Sequence, residues 1–201
     1  MALPQRTKKY LDKKMARYEL LTHKTVYTAY DAAQTLKKEL REIAKSLLIA
    51  TDKAYIIAVI PADMRLDLTK LKKALNAKKI SIPTEKIIIK QLKFKPGSLT
   101  AFGGLHQLET WVDKSLMKTK DVILAAGSFT DSVRMKAKDF IDLEQARLAS
   151  FAKSGGYKPS KMTAKKKKKV RPTKKGSTKK TGKRPAAKKK TTKRRATKKS
   201  R

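Results

Sequence analysis

The sequence predicts an α+β fold, a single mixed-sheet domain with surrounding helices followed by a disordered basic tail, and three observations predict it. Short apolar runs of strand length interleave irregularly with helix-forming stretches, which argues against a regular βαβ wheel. Two of those runs, Ser46 to Ala50 and Ala54 to Ile60, flank a Thr-Asp-Lys turn and read as a β-hairpin. Charge is also unevenly placed. The 201 residues carry 53 Lys+Arg against 16 Asp+Glu, a net charge of +37, and from Lys153 onward there are 24 basic residues and no acidic one. Such a segment buries too little apolar surface to offset its conformational entropy, and its charges repel. The expected division is a folded domain over 1–152 and a disordered tail over 153–201.

Within the domain, Lys8 to Met15 is expected to form a short helix, followed by an extended piece over 18–21. Thr28 and Asp31 have the spacing of a capping pair, and the good helix formers of "DAAQTLKKEL" follow them. After the hairpin, Asp67 is placed to cap a helix with Leu68, Leu71 and Leu75 on one face. "TEKIIIKQL" reads two ways: Thr84-Glu85 suggests a helix start, whereas the Ile87–Ile89 run favours a strand. Gly97 to Gly104 is a glycine-bearing loop. Strands are expected over 108–112, 122–126 and 132–136, with a last helix from Asp139 to about Ala152.

Composition excludes several chemistries. Without cysteine there is no disulfide, thiolate catalysis or Cys-ligated metal. Two histidines, His23 and His106, are too few for a histidine-based zinc site unless carboxylates complete it. No metal and no cofactor are expected. The apolar runs are too short to span a membrane, and the N-terminus lacks an apolar core of secretory type. The expected location is the cytoplasm, with nucleoid association through the tail as an extension of it.

Several pieces, in order and register, resemble the YbaK family of aminoacyl-tRNA deacylases, related to the editing domain inserted in bacterial prolyl-tRNA synthetase. They are "TAYDAAQTLKKELREIAKSLLI", "VIPADMRLDLTKLKKAL", "GSLTAFG", "WVDKSL" and "ILAAGS". The resemblance implies hydrolysis of the ester that joins a wrong amino acid to the terminal adenosine of a tRNA. It also implies that neither a metal nor a protein nucleophile takes part, with the substrate's own ribose hydroxyl assisting an attacking water. The protein's work is then positioning and electrostatic stabilisation.

On its own, Lys45 reads as a strand-end lysine with its charge in water. By the resemblance it matches the family's functional lysine and is the catalytic candidate, a compact charge for the phosphate or backbone of the acceptor end. The loop Gly97, Ser98, Leu99, Thr100 and Ala101 matches the family's Gly-x-x-x-Pro segment, whose backbone amides bind the aminoacyl group. Glycine permits close backbone approach there. Ala101 stands where the family has proline, which frees Thr100 and gives Ala101 an N–H. Gly127 and Ser128 are candidates for the pocket floor or simply the end of a strand. His23 and Asp113 are secondary candidates, each with a structural role as its alternative. "GSLTAFGG" lacks the ending and glycine spacing of a nucleotide-binding loop.

The tail is similar in composition to those of linker histones and bacterial histone-like proteins. Its densest run, Lys165, Lys166, Lys167, Lys168, Lys169 and Arg171, is suited to phosphate neutralisation with counterion release. No aromatic follows Tyr157, so base stacking is not its mode. The expected partners are aminoacyl-tRNA, DNA or ribosomal RNA through the tail, and an aminoacyl-tRNA synthetase, but no membrane. The competing reading is a non-catalytic, histone-like nucleic-acid-binding protein carrying an inactive YbaK-like domain.

Overall fold

The computed structural model describes residues 3–92 and 98–155. Gly97 and the tail run from Lys165 to Arg171 lie outside the described residues. In chain order the elements are α1 Gln5–Lys13, β1 Glu19–Thr22, α2 Ala29–Leu36, β2 Ala44–Thr51, β3 Tyr55–Pro61, β4 Met64–Leu66 and α3 Leu68–Ala74. They continue with β5 Ile80–Ser81, α4 Glu85–Leu92, β6 Glu109–Asp113, β7 Asp121–Ala125, β8 Asp131–Lys136, α5 Ala137–Glu144, β9 Arg147–Ala149 and β10 Ala152–Ser154.

Local chemistry explains where α2 and α3 begin. Thr28 Oγ1 accepts from the Asp31 amide at 3.1 Å, and the Asp31 carboxylate accepts from the Thr28 amide at 3.1 Å. This reciprocal box starts α2. Asp67 accepts from the amides of Thr69 and Lys70 and starts α3. Leu71 is fully buried and carries the apolar face of α3, whereas Leu68 is exposed. The two-way segment after Thr84 is helical, its first turn marked by the Ile87 amide bonding the Thr84 carbonyl.

The main sheet has the order β5-β2-β3-β6-β9. β5, β2 and β3 are antiparallel neighbours, while β3, β6 and β9 run parallel. The central strand β3 is buried on both faces, so "YIIAVIP" is continuously apolar rather than alternating. Ile57 and Val59 face a core with Phe102, Leu124, Val133 and Phe140. Ile56, Ala58 and Ile60 face the opposite core with Leu71, Trp111 and Phe151. A second, antiparallel sheet has the order β1-β8-β7. The two sheets meet at a parallel bridge between Ile43 and Ile123, over which Ala32 and Ala33 of α2 pack.

The final helix corrects the sequence expectation. α5 ends at Glu144, where Gln145 takes a left-handed conformation at φ 48°, rather than continuing toward Ala152. The chain then adds β9 alongside β6 and β10 alongside β4. Good helix formers are overridden here because Phe151 is fully buried. The Phe151 and Ala152 amides both donate to Asp113, each at 2.6 Å.

Candidate active site

Beyond the Ile43–Ile123 bridge, the start of β2 borders a cavity of about 300 Å³. Lys45, Ser46 and Leu47 of β2 form one wall, Ile123 and Ala125 of β7 another, and the segment from His23 to Ala29 a third. Leu99, Ser128 and Ser132 complete it. The hairpin register sets which way the strand presents its groups. The Ala62 amide bonds the Ile43 carbonyl and the Thr51 amide bonds the Ala54 carbonyl, so odd-numbered residues of β2 direct their peptides at β3. The peptide of Ser46 therefore points away from β3, toward the outer edge of β2. Ser46 Oγ is buried and has no hydrogen-bond partner among the described residues.

Lys45 Nζ donates to the Met64 carbonyl at 2.9 Å. An ammonium has three donors, so this bond orients the group without exhausting it. Burial holds its pKa below the ordinary lysine value, and repulsion from Arg65 adds to the effect, against an opposing pull from Asp63.

His23 is held at both ring nitrogens. Nδ1 lies 2.8 Å from the Lys24 carbonyl, which can only accept, so Nδ1 carries a proton. Nε2 lies 2.9 Å from Ser132 Oγ, and in the neutral ring it accepts from that hydroxyl. The register of β1 on β8, Leu21 opposite Ser132, brings these partners together. The His23 amide also bonds the Thr130 carbonyl at 2.8 Å, tying this wall to the loop after β7.

That loop turns at Gly127, whose φ of 93° suits glycine. Ser128 donates to Asp131 at 2.7 Å and accepts from its amide at 2.9 Å, so its hydroxyl is committed to the turn although the residue lines the cavity. Gly127 itself is not a lining residue.

Of the predicted loop, Leu99 reaches the cavity while Ser98, Thr100 and Ala101 are buried behind it. Phe102 is fully buried against Tyr10 and Phe140, its ring centroid 6.1 Å from each. Packing thus holds the segment that carries Ala101. Asp113 is not among the lining residues: it caps the 3-10 turn Lys114–Lys118 and accepts the two amides that dock the last strands. Ser46 and Ser132 escaped the sequence reading. Ser46 is adjacent to Lys45, which was a usable signal; Ser132 is joined to His23 only by strand pairing across 109 residues. Among the described residues no group of three or more His, Cys, Asp or Glu gathers to hold a metal ion, and no helix is long and apolar enough to cross a membrane.

The model of the aminoacyl-tRNA editing domain matches residues 23–143. The prolyl-tRNA editing protein ProX of Acetoanaerobium sticklandii is 24% identical over 147 residues, covering 70% of this chain and 90% of that protein. The proline–tRNA ligase of Macrococcus caseolyticus is 27% identical over 101 residues, which cover 50% of this chain and only 18% of the ligase. A crystal structure of a candidate trans-editing enzyme for prolyl tRNA synthetase superposes with a TM-score of 0.68 at 22% identity, covering 74% of this chain and 96% of that one.

Proposed function

The chain belongs to the aminoacyl-tRNA editing domain family, and from this premise we propose that it hydrolyses the ester of mischarged aminoacyl-tRNA. The observation that carries the proposal is the cavity in which Lys45, Ser46, His23 and Ser132 converge, inside the matched region. At about 300 Å³ it is at the small end of ligand sites and suits a small aminoacyl group with its ribose.

In this reading the Lys45 ammonium binds a phosphate or backbone oxygen of the acceptor end, using the donors left free by Met64. The Ser46 peptide and hydroxyl are directed at the aminoacyl carbonyl. Water adds to the carbonyl carbon, the ester C–O bond breaks, and the released ribose oxygen takes a proton. Free amino acid and uncharged tRNA result. Fixed donors aimed at the developing oxyanion supply the rate enhancement. Release of labelled amino acid from a panel of mischarged tRNAs tests this, comparing wild type with Lys45→Ala. Release no faster than the spontaneous rate for every tRNA would refute it.

The basic segment is proposed to bind nucleic-acid backbone, raising capture of tRNA or tethering the protein to other RNA or DNA. Its support is the one-sided charge, 24 basic and no acidic residues from Lys153 on. A truncation that tests it belongs after Gly155 rather than before Lys153, because β10 pairs with β4 through Lys153 and Ser154. The truncated protein should bind tRNA with a shallower salt dependence and an unchanged turnover rate at saturation.

A further inference from the structure

Tyr27 borders the cavity, yet its side chain is the least expected of the lining groups to be left in water: the residue is 66% exposed. Its position, immediately before the helix-capping Thr28, is where an apolar residue commonly packs onto the first turns of a helix. Tyr27 instead lies against Phe129, ring centroids 5.2 Å apart and planes inclined by 50°. The backbone beneath is held firmly. The Val26 amide bonds the Phe129 carbonyl at 2.9 Å, and the Asp31 carboxylate that closes the capping box also reaches the Tyr27 amide at 3.4 Å. An exposed aromatic ring on an ordered support, backed by a second ring and placed at the rim of the cavity that holds Lys45, Ser46 and His23, has the construction of a stacking surface.

We propose that Tyr27, supported by Phe129, is a nucleobase platform on which the base of the ester-bearing terminal nucleoside stacks. The inference rests on the reading of the cavity as an aminoacyl-ester site. If the cavity holds the ester and its ribose, the base attached to that same ribose must emerge at the rim, where Tyr27 stands. Base–aromatic stacking tolerates every base, because each has a π-face. The platform therefore adds affinity for a terminal nucleoside and orients its ribose, while the cavity reads the amino acid.

The test uses the full-length protein and two pairs of ligands. The first pair is a mischarged tRNA and the same tRNA with an abasic terminal residue. The second is the uncharged terminal trinucleotide CCA and its version lacking the last base, with binding followed by titration. Wild type should lose roughly ten-fold or more in kcat/KM when the base is removed. Tyr27→Ala should lose a similar factor on intact tRNA and be indifferent to the base, while Tyr27→Phe keeps most of the activity. Equal loss by Tyr27→Ala on both tRNAs would overturn the platform and make Tyr27 a packing residue of the rim. Should no mischarged tRNA be hydrolysed, trinucleotide binding that depends on both the last base and Tyr27 would retain the platform and remove the deacylase reading. Trinucleotide binding that is absent, or that ignores the base and Tyr27, would overturn the platform in that case too.

Discussion

Lys45 and Met64, nineteen residues apart in the chain, are joined by one hydrogen bond from the lysine ammonium to the methionine carbonyl at 2.9 Å. The bond holds a cation at the cavity wall, in surroundings that disfavour its charge through burial and the nearby Arg65. Because the folded-state pKa lies below the 10.5 of an ordinary lysine, the cost of keeping the group charged is relieved as pH rises through that interval. Stability should gain from this group as the pH climbs toward 10.5, and Lys45→Met should lack that gain in urea unfolding followed across the alkaline range. The same variant should lose about 100-fold or more in kcat for ester hydrolysis, the scale of losing one fixed electrostatic group.

Phe102 is the packing support of the loop that carries Leu99 to the cavity. Phe102→Ala should lower unfolding free energy by about 3–5 kcal/mol. Phe102→Leu should leave a folded protein whose kcat/KM is reduced by about ten-fold or more, since small displacements of positioning elements are costly. Thermal melts and kinetics well below the melting temperature separate the two effects.

Asp113 distinguishes a structural carboxylate from a substrate contact. Burial alone would raise its pKa, but bonds from Ser115, Phe151 and Ala152 bring it below the usual carboxylate range. Its stabilisation is present above the unfolded value of 3.8 and is lost as pH falls through the lower folded value. Asp113→Asn should cost about 2–3 kcal/mol at neutral pH and flatten the acid limb of the stability curve. Turnover per folded molecule should be unchanged; a selective loss of kcat would return Asp113 to the site.

His106 sets a second acid dependence. Burial, and then repulsion from Arg6, push its pKa down from 6.5 to about 4. The unfolded chain takes up this proton first, so stability is full above pH 6.5 and declines as pH falls toward 4. With the residue only partly buried, the decline should be on the order of 1 kcal/mol. Melting curves between those pH values should show it for wild type and not for His106→Gln.

What was legible in the sequence follows the range of the interaction responsible. Thr28, Asp31 and Asp67 act on amides within three residues, and the hairpin closes through a three-residue turn, so all were readable from spacing. Lys45 emerged through its family resemblance and stands on the cavity wall. β9 and β10 were missed because each is three residues long and is fixed by partners far along the chain. Ser132 was missed for a related reason: nothing near it in sequence reveals His23, and only the pairing of β1 with β8 does.

That pairing bears on when the protein becomes competent during its synthesis. The wall from His23 to Ala29 is made early, but the residues it leans on, Phe129, Thr130 and Ser132, leave the ribosome more than a hundred residues later. β1 must wait for β8, and the site closes only when such distant segments meet, a topology that slows folding. A nascent chain halted before Ser132 would carry Lys45 and its hairpin without an enclosed cavity around them.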